Sequence, residues 1–308
     1  MFERIILTQI NPHVYLMDDN HEATGYIVIG NEKALVIDTM MGYEDVHAVV
    51  KSVTDLPVLV VNTHGHCDHI YGNVYFDRAY LHPADLPIAK EHMKFPEFVE
   101  ECNKRGLKMP PFEAIRGGDV IDLGGLHLEV IELPGHTPGG ILLLLKEDRI
   151  LFTGDSINHH LWMQLEESSS MTELVNNLEK VMYLTDKADV ILHGHARGTD
   201  DISLMNKMLQ GAKEIAEGKT ESDKPYKWFG GVGKQHQFDD IQAKLPTAIP
   251  DYIDREALVK KLYTDKKAKN GNLHFVFQEG IGKIKVFDNE QYAQVIPESL
   301  AREIIRAM

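Results

Sequence analysis

His64-Gly65-His66-Cys67-Asp68-His69 follows directly on the apolar run Pro57-Val58-Leu59-Val60-Val61-Asn62-Thr63. A β-type run that ends in three histidines and a carboxylate within six positions has the composition of a metal site. Neutral imidazole and carboxylate together suit zinc, iron or manganese. Side chains two apart at the end of a strand point the same way, so His64 and His66 are expected to face one position. Asp68 and His69 come after the chain has begun to turn and are expected to face a second. With 16 histidines in 308 residues, a chance surface cluster is the competing reading. The recurrence of matching residues downstream argues against it.

Length allows one large domain and a smaller one, or two modest ones. A hydrophobic content of 43% and a charged content of 26% are those of an ordinary globular protein. The formal charge of −15 argues against a general nucleic-acid or anionic-membrane binder, because it repels phosphate. Two cysteines, Cys67 and Cys102, are too few for a disulfide framework and fit a reducing compartment. No signal-peptide pattern and no membrane-length apolar run is present, so a cytoplasmic protein is expected.

Short β-type runs alternate with turns from the N-terminus: Val14–Met17, Gly25–Ile29 and Ala34–Ile37. Val46, Val49, Val50 and Val53 lie at helical spacing and predict a helix covering the sheet. Arg78–His82 reads as a strand, and Pro83 opens a helix to about Met93. Lys94–Arg116, interrupted by Pro96, Pro110 and Pro111, reads as a long loop serving as a lid or substrate wall, or else as a packed surface excursion. Strands resume at Asp119–Ile121, Leu126–Glu132, Ile141–Leu145 and Arg149–Phe152. Thr172–Thr185 and Ile202–Glu217 read as amphipathic helices.

Further ligand candidates sit where these strands end. Leu133-Pro134-Gly135-His136 places a histidine in a Gly/Pro-rich loop, Phe152-Thr153-Gly154-Asp155 places a carboxylate, and Leu192-His193-Gly194-His195 places two more histidines. Taken singly, His136 is also readable as a turn residue and Asp155 as a helix cap. Together with the first cluster they supply seven ligands in four strand-end loops, where a rigid scaffold presents chemistry.

His64-x-His66-x-Asp68-His69, Gly135-His136, Gly154-Asp155 and Gly194-His195 resemble, in order, the ligand series of the metallo-β-lactamase superfamily, and of its glyoxalase II-like hydrolase branch. The resemblance extends over about residues 1–235. It implies an α/β fold, the αββα sandwich, with two mixed sheets face to face and helices outside. By matching position, His64, His66 and His136 would form site one. Asp68, His69 and His195 would form site two, with Asp155 bridging; His193 is the neighbour that could replace His195. The implied cofactors are two divalent ions about 3.5 Å apart that acidify a shared water. Zinc is the expected metal, with iron or manganese as alternatives. Asp68 has a second expected duty as catalytic proton acceptor.

The expected activity is binuclear metal-dependent hydrolysis of a small-molecule ester, thioester, lactone or phosphoester. An aspartate at the bridging position resembles those hydrolases, whereas the lactamases proper usually carry cysteine in site two. The alternatives are an iron-dependent oxidoreductase resembling the persulfide dioxygenases and a non-catalytic, metal-stabilised binding protein. His160, Arg197 and Tyr226 are candidate substrate contacts: His160 just beyond the Asp155 loop, Arg197 as an anion grip or a surface ion pair, and Tyr226 in an aromatic-basic loop over Tyr226–Gly231 that either closes over the site or packs as a plug. A catalytic domain is expected over 1–237 and an accessory segment over 238–308, reached through a linker at Leu245–Pro250. Leu258–Gly282 resembles the C-terminal tail of 3-dehydroquinate synthase, without that enzyme's nucleotide domain or ligands. This tail is a candidate for packing beside the metal mouth or for forming a homodimer. The expected partner is a small-molecule substrate, with no nucleic acid and no membrane.

Overall fold

A computed structural model of the protein describes residues 2–228 and 231–246, together with the short strands at 273–275, 278–280, 283–284 and 294–296. The chain divides into two compact units, residues 1–224 with 235–245 and residues 225–234 with 246–308.

The first sheet of the larger unit runs in sequence order. It contains β1 (Ile5–Gln9), β2 (Val14–Asp19), β3 (Ala23–Ile29), β4 (Ala34–Ile37), β5 (Val58–Val61), β6 (Ala79–Leu81) and β7 (Phe112–Ala114). β1 to β4 form an antiparallel meander, and β4 to β7 pair in parallel. Parallel neighbours need crossovers. α1 (Val46–Lys51) supplies the first, and α2 (Cys67–Ile70) opens the second. α3 (Leu86–His92) and α4 (Pro96–Arg105) supply the third.

The second sheet comprises β8 (Val120–Asp122), β9 (His127–Glu132), β10 (Ile141–Leu145) and β11 (Ile150–Gly154), then β13 (Val190–His193) and β14 (Asp200–Asp201). Between them β12 (His160–Trp162) branches away. Helices α5 (Met171–Val181) and α6 (Leu204–Ala216) cover this half.

Strand alternation explains the layering. In β4, Leu35 and Ile37 point inward to meet Leu143, Leu145 and Phe152 of the second sheet. Ala34 and Val36 point outward beneath Val46, Val49 and Val50 of α1. In β10, Leu142 and Leu144 turn outward beneath Leu174 and Leu178 of α5 and Met205 and Met208 of α6. The result is the αββα sandwich, two sheets with a shared apolar interior and a helical layer on each outer face.

Several expectations are corrected. Lys94–Arg116 is not a long loop. Pro96 sits in the first turn of α4, where a missing N–H costs nothing, and Gly106 closes the helix at φ 69°. Phe98 of α4 stacks on Tyr71, ring centroids 3.9 Å apart, and β7 extends the first sheet. Within the expected aromatic-basic loop, residues up to Trp228 belong to β15 (Lys224–Trp228). After β16 (Gly231–Phe238), the start of the expected linker is taken into β17 (Ile241–Pro246), which pairs in parallel with β12. The boundary expected at 237 falls inside β16, whereas β17 through residue 245 belongs to the larger unit.

In the smaller unit, β18 (Leu273–Phe275) pairs with β21 (Gln294–Ile296), and β19 (Gln278–Gly280) pairs with β20 (Lys283–Ile284). The tail helix and the Asp-Lys-Lys stretch of the 3-dehydroquinate synthase resemblance lie outside the described residues.

Candidate metal centre

β9, β11 and β13 run in the same direction, so the loops that follow them open at one edge of the second sheet. These loops carry His136, Asp155 and His195. The loop after β5 brings His64 and His66 from the first sheet, and the single turn of α2, with His66 at its N-cap, swings Asp68 and His69 round. All seven side chains meet. His64, His66 and His136 form one group, and Asp68, His69, Asp155 and His195 form another; in each, the donor atoms lie within 4.8 Å of one another. Asp155 Oδ2 lies between the groups, 3.1 Å from His195 Nε2, 3.6 Å from His69 Nε2 and 3.8 Å from His136 Nε2.

Each imidazole is held from behind. His64 Nδ1 lies 3.1 Å from Thr63 Oγ1, and His69 Nδ1 is 2.8 Å from Asp38 Oδ2. His136 Nδ1 donates to the Trp162 carbonyl at 2.6 Å, and His195 Nδ1 donates to the Glu22 carbonyl at 2.8 Å. His66 is gripped through Nε2, 2.8 Å from Glu167 Oε1. Such outer partners orient metal-binding histidines. The inward Nε2 atoms of His64 and His69 are buried without a hydrogen-bond partner among the described residues. A buried polar atom left unpaired is costly, and a cation at the centre of the imidazole and carboxylate donors relieves that cost. The residues therefore fit a pair of divalent ions.

Electrostatics divides the two groups. Burial, reinforced by neighbouring imidazoles, drives His64 well below its ordinary range and His136 down to about 4. Burial opposes charge in the other group too, but the carboxylates outweigh it. Asp155 and Asp68 hold His195 up at about 9, and Asp68 with Asp38 holds His69 well above its usual value. In return, those imidazoles keep Asp68 and Asp155 ionised despite burial.

Two buried aspartates, absent from the sequence reading, hold the loops. Asp38, at φ 57°, accepts bonds from the Thr63 N–H and hydroxyl as well as from His69. Asp85 accepts from Gly65 N at 2.9 Å, Thr137 Oγ1 at 2.7 Å and Gly139 N at 2.5 Å, tying the His66 loop to the His136 loop. Their only sequence signal is position, Asp38 at a strand end and Asp85 in the first turns after Pro83. Gly194 has a visible reason to be glycine. A Cβ there would stand 2.5 Å from Asp155 Oδ1 and 2.6 Å from His69 Cε1.

His193 is not interchangeable with His195. Its Nδ1 accepts the His195 backbone N–H at 3.2 Å, which leaves its proton on Nε2, directed at Asp200 3.2 Å away. Of the candidate substrate contacts, His160 is exposed on β12 and its backbone N–H donates to Asn158 Oδ1 at 2.6 Å. Arg197 is exposed two residues past His195 and pairs with no carboxylate among the described residues. Tyr226 belongs to the smaller unit, where it stacks on Trp228 with centroids 6.0 Å apart. Burial lifts the Cys67 thiol to about 11, which disfavours the thiolate near neutral pH.

No helix among the described residues is long and apolar enough to cross a membrane. The chain is 28% identical over 207 residues to the human acyl-coenzyme A thioesterase MBLAC2, covering 58% of this chain and 74% of that protein. It is 29% identical over 159 residues to an uncharacterised protein of Mycobacterium tuberculosis, covering 46% and 70% respectively. Among solved structures, a metallo-β-lactamase from Erythrobacter litoralis shares the fold at a TM-score of 0.53 and 20% identity, over 70% of this chain and 98% of that one. The family model described as the metallo-beta-lactamase superfamily matches residues 21–195, the span from β3 to His195 that holds every one of the seven convergent side chains, and the chain belongs to that superfamily.

Proposed function

We propose that the chain is a metal-dependent hydrolase holding two divalent ions, zinc in the first instance, and that it cleaves an acyl thioester of a small molecule. One observation carries the reading: two groups of inward-facing donors meet at Asp155 Oδ2, 3.1 Å from His195 Nε2 in its own group and 3.8 Å from His136 Nε2 in the other. His64, His66 and His136 would hold the first ion and Asp68, His69 and His195 the second, with Asp155 the residue placed to serve both. Bound there, such ions supply Lewis acidity to the scissile carbonyl and lower the pKa of a water. The chain's own residues do the rest. Asp68, ionised and partly open to solvent, accepts the proton of the attacking water. The imidazoles keep the donor geometry fixed by their backbone and carboxylate partners. Arg197 grips an anionic part of the substrate with its planar fork.

The thioester is chosen over an ester, lactone or phosphoester because the human and bovine relatives are named as acyl-coenzyme A thioesterases, at 28% and 27% identity. The test begins with metal analysis of the purified protein. A panel of acyl-coenzyme A thioesters, simple esters, lactones and phosphodiesters follows, with thiol release and acid release recorded. Thiol release that vanishes in a folded His66→Ala variant supports the proposal. Turnover that survives in that variant sinks it, and activity restored only by iron with consumption of oxygen replaces hydrolysis by redox chemistry.

A further inference from the structure

Five imidazoles face the centre, and four are held alike. His64, His69, His136 and His195 each meet an outer partner through Nδ1. His66 is reversed, with Nε2 at Glu167 Oε1, 2.8 Å away, and Nδ1 turned to His136 Nε2 at 3.0 Å. We propose that Glu167 is a positioning residue that fixes the tautomer of His66 by accepting the proton of its Nε2, and so keeps Nδ1 directed at the first ion position. The inference rests on the metal-centre reading above.

A carboxylate accepts hydrogen bonds and donates none when ionised, so Glu167 requires a proton on His66 Nε2. A ring with its single proton on Nε2 carries its lone pair on Nδ1. The Trp162 carbonyl makes the same demand of His136 Nδ1, which leaves the His136 lone pair on Nε2. Two lone pairs directed at each other across 3.0 Å repel, and a cation between them turns that repulsion into ligation. The ring of His66 is fixed in a second way. His92 lies over it, ring centroids 5.2 Å apart and planes 16° from parallel, and His92 Nδ1 accepts the Cys67 backbone N–H at 2.9 Å. The His92 stack sets the plane of the ring, and Glu167 sets which nitrogen bears the proton. Glu167 belongs to the connection between β12 and α5, so this half of the chain governs a donor that the β5 loop supplies.

Long-range proton–nitrogen NMR of the metal-free full chain reads the tautomer directly, and chelator competition with zinc reads affinity at each position. Wild type is expected to show His66 protonated at Nε2. Glu167→Gln keeps an acceptor oxygen and loses the charge, so the tautomer stays and first-position affinity falls about tenfold. Glu167→Ala loses both, with a mixed or reversed tautomer and a loss of about 100-fold, while the second position changes little. Unchanged His66 signals and unchanged zinc affinity in both variants overturn the inference and leave the hydrolase reading standing. A wild-type chain that takes up no zinc overturns the hydrolase reading instead, and the metal-free spectrum still decides the tautomer.

Discussion

The two halves of the proposed metal centre are built on opposite electrostatic plans. His64, His66 and His136 form an all-imidazole pocket in which burial keeps His64 and His136 neutral. Asp68, His69, Asp155 and His195 form a pocket in which two carboxylates hold protons on two imidazoles, with the charge balanced internally. One pocket is ready for a cation by lacking charge, and the other already contains protons where a cation would sit. Under the proposed reading, metal uptake in the second pocket would displace protons, whereas the first would need only to direct its lone pairs.

Asp155 belongs to both plans, so its loss is the most severe test of the division. Asp155→Asn is expected to lower turnover by more than about 100-fold, beyond the loss typical of an outer partner, and to weaken both ions together. A variant that keeps one ion at full affinity would show that the pockets are independent. Gly194→Ala should separate them. Its new methyl group presses on Asp155 and His69, so metal content is expected to fall from two ions toward one, with the all-imidazole pocket still loaded. Equal loss from both pockets would count against that separation.

Acid and base provide a gentler probe of the metal-free protein. His136 titrates near 4 when folded and near 6.5 when unfolded, so the unfolded chain binds the proton first and stability falls as pH drops across that interval. His195 titrates near 9 when folded, so its contribution is complete below about 6.5 and is lost as pH rises through 9. Thermal melts should therefore decline on both sides of neutrality, with His136→Ala flattening the acid side and His195→Ala the alkaline side. The smallest effect expected is that of Arg197→Ala. A several-fold rise in KM for an anionic thioester, with kcat and metal content unchanged, fits an exposed grip outside both pockets.

The seven convergent residues were legible because each ends a β-type run beside a glycine or another ligand, a pattern that needs no tertiary information. Asp38, Asp85 and Glu167 were not legible. Each acts through a partner 20 to 101 positions away, and a lone acidic residue at a strand end or in a loop has no distinguishing neighbours. The sandwich was implied by the family resemblance of the ligand series and not by periodicity, because β4 and β10 are continuous apolar runs buried on both faces. Lys94–Arg116 misled because its prolines suggested a loop, although proline at the start of α4 is a helix signal. β15 and β17 were missed for a different reason: Pro225 interrupts Lys224–Trp228, and Ile241–Leu245, although it alternates, runs into the proline-rich stretch that read as a linker; its pairing with β12 makes it a strand.

The His195 loop is fastened to the opposite sheet by bonds that span most of the domain. Thr24 donates to the carbonyls of Gly194 and Ala196, Tyr26 Oη donates to that of His193, and His195 Nδ1 reaches the Glu22 carbonyl. These partners are separated by 167 to 173 residues, so during synthesis the chain's early strands wait for their last anchor until that loop has left the ribosome. The three imidazoles of the first pocket have all been synthesised once His136 has emerged, and their outer partners Trp162 and Glu167 follow, the first of them 26 residues later. The charged pocket cannot close before His195, and an ion captured early in the first would greet the arriving second half as a ready-made docking point.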